Sequence, residues 1–393
     1  MKYHALVFVL LIFTGFSKVE AGEFAGSVAT EHRQFLSSEQ FEGQKSGSVP
    51  SLTFEPEYFH TSEDRAHNIV GKAFFRYDPS DNQRTHFDIR QADWTFAQDD
   101  WEVRAGISRV FWGVIESRKL VDTLNQVDQV EDIDEEDRLG QLMIQATTFQ
   151  DWGTLRAFYL PYFRERTFPG REGRLRGPLV VDTDNPRYEE EAEEFYPNLA
   201  LRYSHFFGGF DVGISQFHGT GREPTFIIEG DHAIPFYETI NQTSLDVQYT
   251  TDAWLWKLEV LYREGQGDDF VASSGGFEYT FFGINDNNHD VGLLAEYHHD
   301  RRDNDAPATL FDDDMFMGVR YVLNNAADTE ILAGITTDLQ GQGTFSVIEA
   351  SHRLDDNWKL EMDVRFFGDV QRTNQLNFLN NDDFVQIRLS YFF

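Results

Sequence analysis

The sequence contains no cysteine, which excludes thiol catalysis, disulfide frameworks and cysteine-ligated metals. After residue 21 it also contains no apolar run long enough for a membrane-spanning helix, which takes about 20 apolar residues. Lysine is scarce, with seven residues, and the formal net charge is −34. Because nucleic-acid binding relies on clustered Lys and Arg, this composition argues against a nucleic-acid partner.

The first residues have the pattern of a secretory signal peptide. Lys2 precedes an apolar run from Ala5 to Phe16, and the sequence Val19-Glu20-Ala21 follows at the position of a cleavage site. We therefore predict a signal peptide over residues 1–21, cleaved after about Ala21, and one exported domain over residues 22–393.

From residue 22 onward the dominant pattern is alternation of apolar and polar side chains over stretches of about ten residues. Trp256 and Leu258, for example, alternate with Lys257 and Glu259. Such alternation predicts strands with one dry and one wet face. We predict eighteen strands, with sixteen to twenty as the range because residues 223–240 are ambiguous. They are 22–34, 50–60, 66–78, 84–97, 100–110, 140–149, 152–163, 197–207, 209–218, 242–251, 253–264, 268–281, 288–299, 312–322, 328–338, 344–353, 357–367 and 384–393.

The connections between these strands alternate in length. Even-numbered connections are mostly short, such as Gly208 and Asp252, whereas several odd-numbered ones are long, such as 111–139 and 164–196. Aromatic residues cluster beside the short turns, as Trp101 does. This pattern predicts an all-β fold, a transmembrane up-and-down antiparallel barrel with short periplasmic turns, long extracellular loops and an aromatic girdle. A soluble β-sandwich or β-helix with an aromatic core is the alternative.

Two segments carry a resemblance to known proteins. The chain ends Arg388-Leu-Ser-Tyr-Phe-Phe393, which resembles the last strand of Gram-negative outer-membrane porins. Residues 109–128 contain Trp112-Gly113 and resemble a segment of poorly characterised porin-like proteins, although Gln126 stands where those proteins have Pro. The resemblance implies location in the bacterial outer membrane and recognition of the strand ending at Phe393 by the barrel-assembly machinery. The implied partners are membrane lipid, lipopolysaccharide and small solutes, and a homo-oligomer is compatible with it.

Strand number predicts function, because sixteen to eighteen strands leave an aqueous channel whereas about eight are filled by their own side chains. We predict a porin-like channel for passive diffusion of small hydrophilic solutes, with no cofactor and no metal. The alternative is a substrate-specific export or uptake barrel for acidic polysaccharide or hydrophobic compounds. A barrel enzyme is not expected, since the sequence contains neither HExxH nor Gly-x-Ser-x-Gly.

The long loop 111–139 is the predicted constriction, by analogy with the loop that enters the lumen of trimeric porins. Its acidic candidates are Asp128, Glu131, Asp132, Asp134, Glu135, Glu136 and Asp137. Inward positions on the strands supply the opposing basic candidates Arg76, Arg90, Arg104, Arg202, Arg320, Arg365 and Arg388. An acidic loop facing an arginine wall would create a transverse field that sorts solutes by charge. The acidic run is equally compatible with a solvated extracellular loop, and the alternating spacing of its carboxylates with a calcium site.

The loop 164–196 has a basic half, Arg164–Arg176, and an acidic half that includes Glu189–Glu194. We expect the halves to pair with each other and form a lid. Alternatively, the basic half binds an anionic sugar or a lipopolysaccharide phosphate.

Overall fold

The computed structural model describes residues 22–45, 47–284, 288–341, 343–368 and 375–393, with the backbone alone described at 375 and 376. The predicted signal peptide, residues 1–21, lies outside the described residues. Two 3-10 turns, Glu193–Phe195 and Gln375–Leu379, lie in loops. In the described part of the chain, no helix has the length and apolar character needed to cross a membrane.

The strands account for most of the fold. In chain order they are β1 (Glu23–Phe35), β2 (Ser48–Thr61), β3 (His67–Tyr77), β4 (His86–Ala97), β5 (Trp101–Ser108), β6 (Gln141–Gln150), β7 (Gly153–Leu160), β8 (Val180–Val181), β9 (Arg187–Tyr188), β10 (Asn198–Phe207), β11 (Phe210–Thr220), β12 (Thr225–Glu229), β13 (His232–Tyr237), β14 (Thr239–Thr250), β15 (Trp254–Glu264), β16 (Phe270–Ile284), β17 (His289–Asp300), β18 (Asp313–Val322), β19 (Glu330–Asp338), β20 (Thr344–Arg353), β21 (Trp358–Gly368) and β22 (Phe384–Phe392).

Eighteen of these strands form one closed antiparallel sheet, which confirms the predicted barrel and its strand number. Each strand pairs with its neighbours in chain order, and β22 pairs with β1, with Ser27 opposite Phe392 and Phe35 opposite Phe384. Closure leaves the sheet without a free edge, so the backbone groups of the wall find their partners within it.

The two faces of the wall differ as the alternation predicts. On β15, Trp256 and Leu258 are exposed on the outer face, whereas Lys257 and Glu259 point inward and are buried. Exposed apolar side chains continue around the other barrel strands, and the inward positions are mostly polar. An apolar exterior around a polar interior is the arrangement of a barrel in lipid and is opposite to that of a soluble sandwich.

Rings from adjacent strands form a girdle along the short-turn rim. Trp254 lies 4.6 Å from Tyr279 and Phe210 lies 4.3 Å from Tyr249, both measured between ring centroids. At the same rim, the Gly26 N–H donates to the carbonyl of Phe393 (3.1 Å). The predicted aromatic girdle beside the short turns is therefore present.

The ambiguous region 223–240 adds no strand to the barrel. Its hairpin of β12 and β13 pairs instead with β8 and β9 from the preceding long loop, in a separate four-stranded sheet. Within the described residues, no ion pair joins the basic half of that preceding loop to its acidic half, contrary to the expectation. Instead Arg164 pairs with Asp88 (2.6 Å) and Arg174 with Asp382 (2.6 Å), which ties the loop to other parts of the mouth.

Candidate functional site

The connection between β5 and β6, residues 109–140, lies inside the barrel, and we call it the lumenal loop. It contacts inward residues of β21, β1, β3 and β4 on one side of the barrel and of β15 and β17 on the other. Since β3 and β15 are almost opposite each other in an 18-strand barrel, the loop crosses the lumen.

The base of the loop is closed by Asn125, which is fully buried. Its side-chain amide donates to the carbonyls of Ser108 and Leu139 (2.9 Å each) and accepts the Val110 N–H (2.9 Å). Asn side chains commonly replace backbone partners in this way. One side of the loop then packs on inward apolar residues of the wall, in a buried cluster made of Trp112, Leu120, Val121, Leu124, Met143, Phe158, Leu160, Ala200, Phe217, Ile240, Leu261, Phe270, Ala272 and Ala306.

The other side of the loop carries the acidic run, which meets three of the seven predicted arginines. The ion pairs are Arg90 with Asp128 (2.6 Å), Arg76 with Glu131 (2.5 Å) and Arg365 with Asp134 (2.8 Å). Arg33 on β1, which is not among the predicted arginines, adds a fourth pair with Asp132 (2.9 Å). The regular alternation of β1 places Arg33 at an inward position, and this pattern could have identified it in the sequence.

The other four predicted arginines do not meet the acidic run, so the predicted arginine wall is only partly correct. Arg202 pairs with Asp246 of β14 and Arg388 with Glu55 of β2. Arg104 bonds to Thr95 (3.3 Å). Arg320 reaches the lumenal loop but pairs with Glu116, outside the run (2.8 Å). These side chains point inward at other heights or angles around the barrel.

The alternative of a solvated extracellular loop is wrong for the first part of the run, where Asp128, Glu131 and Asp132 are buried. Glu136 and Asp137 are exposed, and Asp137 faces a water-accessible cavity deep within the barrel. Desolvation by the surrounding protein is the largest cause that raises the pKa of Asp137. The negative charges of Glu131 and Asp134 are the next causes, and together they raise this pKa to about 7.

The carboxylates whose alternating spacing is compatible with a calcium site are Asp132, Asp134 and Glu136, and they are paired with Arg33, Arg365 and Lys119, respectively. His86 approaches Asp128 (3.2 Å) and Glu131 (3.6 Å), a geometry that some metal sites share. Burial opposes the charge on Asp128, but the hydrogen bond from His86 and the charge of Arg90 outweigh it and hold the pKa of Asp128 well below its usual range. The group therefore works as an ion-pair network.

Two glutamates on the wall hold the tip of the lumenal loop, and we call this arrangement the glutamate latch. Glu259 Oε1 accepts the N–H groups of Val114 (2.5 Å) and Ile115 (2.9 Å). Glu296 accepts the next two, from Glu116 and Ser117 (3.0 Å each), and the Ser117 hydroxyl as well (2.7 Å). Both glutamates are about 1 % exposed, so these charge-assisted bonds form away from bulk water.

Gly113 makes the latch possible. Its φ is +116°, a conformation that L side chains rarely adopt, and a Cβ there would lie 2.7 Å from Glu259 Oε1. In the Trp112-Gly113 pair, the Trp112 ring thus packs in the buried cluster, and Gly113 lets the backbone turn toward the latch.

We expect substitution by glutamine to have different effects at the two latch glutamates. Glu296 accepts backbone N–H groups on both of its oxygens. In Glu296→Gln the side-chain NH2 group therefore faces a backbone N–H, and the attachment of the loop tip loses about 1.5–3 kcal/mol of stabilisation. Glu259 uses one oxygen for both N–H groups, and a glutamine can keep them. In single-channel recordings we expect Glu296→Gln to show open-level fluctuations and a higher mean conductance, with Glu259→Gln close to the unaltered protein. Equal behaviour of the two variants would argue against the latch.

The loop divides the lumen into two chambers. The outer chamber, about 470 Å³, is lined by the lumenal loop, by the loops of the mouth and by the upper parts of β18–β21. The inner chamber, about 770 Å³, reaches down to Gly26 and Phe393 at the short-turn rim. Residues that line both chambers form what we call the constriction: Glu116, Asp134, Glu136, Leu332, Glu349 and Arg365.

Comparison with solved structures finds this architecture in other proteins. Wzi of Escherichia coli, described as a carbohydrate-binding outer-membrane β-barrel involved in group 1 capsule assembly, is 9% identical, with 94% of this chain and 84% of Wzi covered and a TM-score of 0.56. A BenF-like porin of Pseudomonas fluorescens is 10% identical, covering 95% of this chain and 97% of that chain with a TM-score of 0.53. The chain has the fold of these outer-membrane barrels. No family model and no curated protein sequence matches it.

At such low identity the likeness concerns the fold. The resemblance to outer-membrane barrels is confirmed at that level, while no family model supports the more specific resemblance of residues 109–128.

Proposed function

We propose that the protein is an outer-membrane channel through which small hydrophilic solutes diffuse passively, with the lumenal loop as its constriction. The observation that carries this proposal is the pair of chambers that meet at the constriction within a closed wall of eighteen strands. A barrel of this size holds an aqueous lumen unless something fills it, and the two chambers beside the loop support a lumen that is narrowed at the constriction.

The charges along the path support a preference for cations. Thirteen carboxylates and nine cationic side chains line the inner chamber. The constriction has four carboxylates, and the cations paired with them include Arg365, Arg320 and Lys119. A ring of fixed charge in a narrow, low-dielectric passage favours counter-ions. The same charges would repel an acidic polysaccharide, so that form of the substrate-specific alternative is disfavoured.

The apolar exterior and the fold shared with outer-membrane barrels support a place in the bacterial outer membrane, surrounded by lipid and lipopolysaccharide. We extend the proposal to assembly, in which the machinery recognises β22 with Phe393. Self-association of barrels is compatible with the proposed function.

Purified protein reconstituted in a planar bilayer tests the proposed function. We expect stepwise ohmic conductance, and in a KCl gradient we expect the sign of the reversal potential to show potassium passing more readily than chloride. The matched control is protein heat-unfolded before reconstitution. If a barrel whose folding is verified by heat-modifiable gel migration leaves the bilayer silent, the proposal is wrong.

A further inference from the structure

The outer chamber has an apolar wall, which a passage for hydrophilic solutes alone does not require. On β18 the inward ring of Phe316 packs with Leu332 of β19 and Val347 of β20. This ring lies over the paired glycines Gly318 and Gly334, where a Cβ on either would meet it. The ring is therefore fixed by the wall, and the apolar surface is formed before any solute enters.

Further apolar side chains come from the loops of the mouth. They include Phe168, Phe226, Phe311, Leu310, Phe378 and Leu379, which line the same chamber. The chamber volume of about 470 Å³ lies in the range of pockets that enclose small organic ligands, roughly 300–1,000 Å³. A solute with an apolar body would thus be desolvated here on its way to the constriction.

Two carboxylates stand on this apolar wall. Asp314 of β18 is directly opposite Asp338 of β19 in the sheet register, and both side chains are buried and line the chamber. Asp314 accepts the Asp312 N–H (3.0 Å), but within the described residues it makes no ion pair. Burying a carboxylate beside aromatic rings is costly unless a cation or a proton neutralises it.

Six of the seven cationic side chains that line the chamber pair with carboxylates other than Asp314. Arg263 and Arg302 pair with Glu223, and Arg166 pairs with Glu135. Arg118 and Lys119 pair with Asp300 and Glu136, respectively. Arg365 pairs with Asp134 and Glu349, while Arg176 donates to the carbonyls of Gly177, Glu42 and Arg171. None of these cations pairs with Asp314 within the part of the chain that the structure describes.

From these observations we propose that the outer chamber binds amphipathic organic cations, with an apolar body against the Phe316 wall and an ammonium group at Asp314. This inference rests on the proposed channel function and deepens it by naming a solute class. Aromatic rings and carboxylates together favour an organic ammonium, because the ring face attracts the cation that the carboxylate neutralises. The four carboxylates of the constriction then form the next site along the path.

The test uses benzyltrimethylammonium as the probe, with 3-phenylpropionate as the anionic match and tetramethylammonium as the cation without an apolar body. Each is added at equal concentration on the outer side of a single reconstituted channel. We expect benzyltrimethylammonium to produce resolved current blockades, tetramethylammonium much shorter ones and 3-phenylpropionate none. Equal blockade by the cationic and the anionic aromatic probes would overturn the inference.

Variants then locate the site. Asp314→Asn is expected to shorten the benzyltrimethylammonium blockade by at least roughly tenfold, because one close unit charge acts more strongly at intermediate dielectric than in bulk water. The matched control is Asp313→Asn, which removes a carboxylate from the neighbouring residue that accepts the Tyr297 hydroxyl (2.6 Å) and does not line the chamber. If both variants shorten the blockade equally, the site is not at Asp314.

Failure of this inference can be distinguished from failure of the channel proposal. Conductance in KCl without probe reports on the channel alone. If the channel conducts but benzyltrimethylammonium does not block it, only the proposed solute class is wrong. If the bilayer is silent, calorimetric titration of benzyltrimethylammonium into the folded barrel in detergent still measures binding. Heat of binding that is lost in Asp314→Asn supports the site, and absence of binding in the unaltered protein overturns it.

Discussion

A barrel in which a Gly-Ser-Gly linker replaces residues 111–139 is expected to conduct several-fold more current than the unaltered protein. The replaced residues form most of the lumenal loop, including its share of the constriction, and Ser108 and Gln141 at its ends are already paired across β5 and β6. A short turn can therefore join the strands without moving the wall. What remains is an eighteen-stranded barrel, wide enough for an open aqueous channel.

The same excision is expected to turn the cation preference into an anion preference. Residues 111–139 contain nine carboxylates and three basic residues. Their removal leaves Arg33, Arg76, Arg90 and Arg365 on the wall without the loop carboxylates that neutralise them. Since fixed charge near the path sets the ion preference, the reversal potential in a KCl gradient should change sign.

Single-channel conductance and reversal potential measure both effects. The matched control excises residues 182–186, a turn between β8 and β9 that lines neither chamber, and should leave both quantities unchanged. Heat-modifiable gel migration verifies that each barrel is folded, because the excision uncovers inward apolar residues such as Phe217. Unchanged conductance in the folded loop-excised barrel would mean that another part of the chain limits flow.

Side-chain alternation was sufficient to predict the wall. Along β15, the outward Trp256 and Leu258 and the inward Lys257 and Glu259 follow directly from a period of two, because a closed barrel keeps one face in lipid and the other in the lumen. The region 223–240 was ambiguous because its hairpin has the alternation of a strand but pairs outside the barrel.

The interior was only partly predictable, because alternation reports which face a residue is on and not its height or its partner. Arg365 and Arg388 both point inward on neighbouring strands, yet one reaches Asp134 of the loop and the other pairs with Glu55. Glu259 was recognisable as inward, but its partners are backbone groups 144 and 145 residues away in sequence. Loop conformation depends on such long-range contacts, for which no local pattern exists.

Arg76→Met is expected to lower the free energy of unfolding by about 3–5 kcal/mol, the cost of leaving a buried carboxylate without its partner. The side chain is 2 % exposed, and all five of its N–H groups have acceptors. They bond to Glu31 of β1, to Glu131 of the lumenal loop and to Ser51 of β2. One guanidinium therefore joins two strands and the loop.

The loss of the Arg76 guanidinium should destabilise Glu131 more than Glu31. Glu31 keeps a second pair with Arg84 (2.7 Å), whereas Glu131 is left with His86 at 3.6 Å. The double variant Arg76→Met/Glu131→Gln should therefore recover part of the loss, because it removes the unneutralised charge as well. Arg76→Lys should not recover it, since an ammonium has three donors and lacks the planar fork that binds two carboxylates.

Urea unfolding in detergent micelles, followed by tryptophan fluorescence, measures the free energy of unfolding of the single and double variants. The values together give a double-mutant cycle for Arg76 and Glu131. The matched control is Arg104→Met, which removes an inward arginine that bonds only to Thr95 among the described residues, and it should change stability by less than about 1 kcal/mol. If Arg76→Met were as stable as this control, the buried pair of glutamates would not depend on Arg76. Recovery confined to the double variant would instead identify the Arg76–Glu131 pair as the contact that fixes the acidic run to the wall.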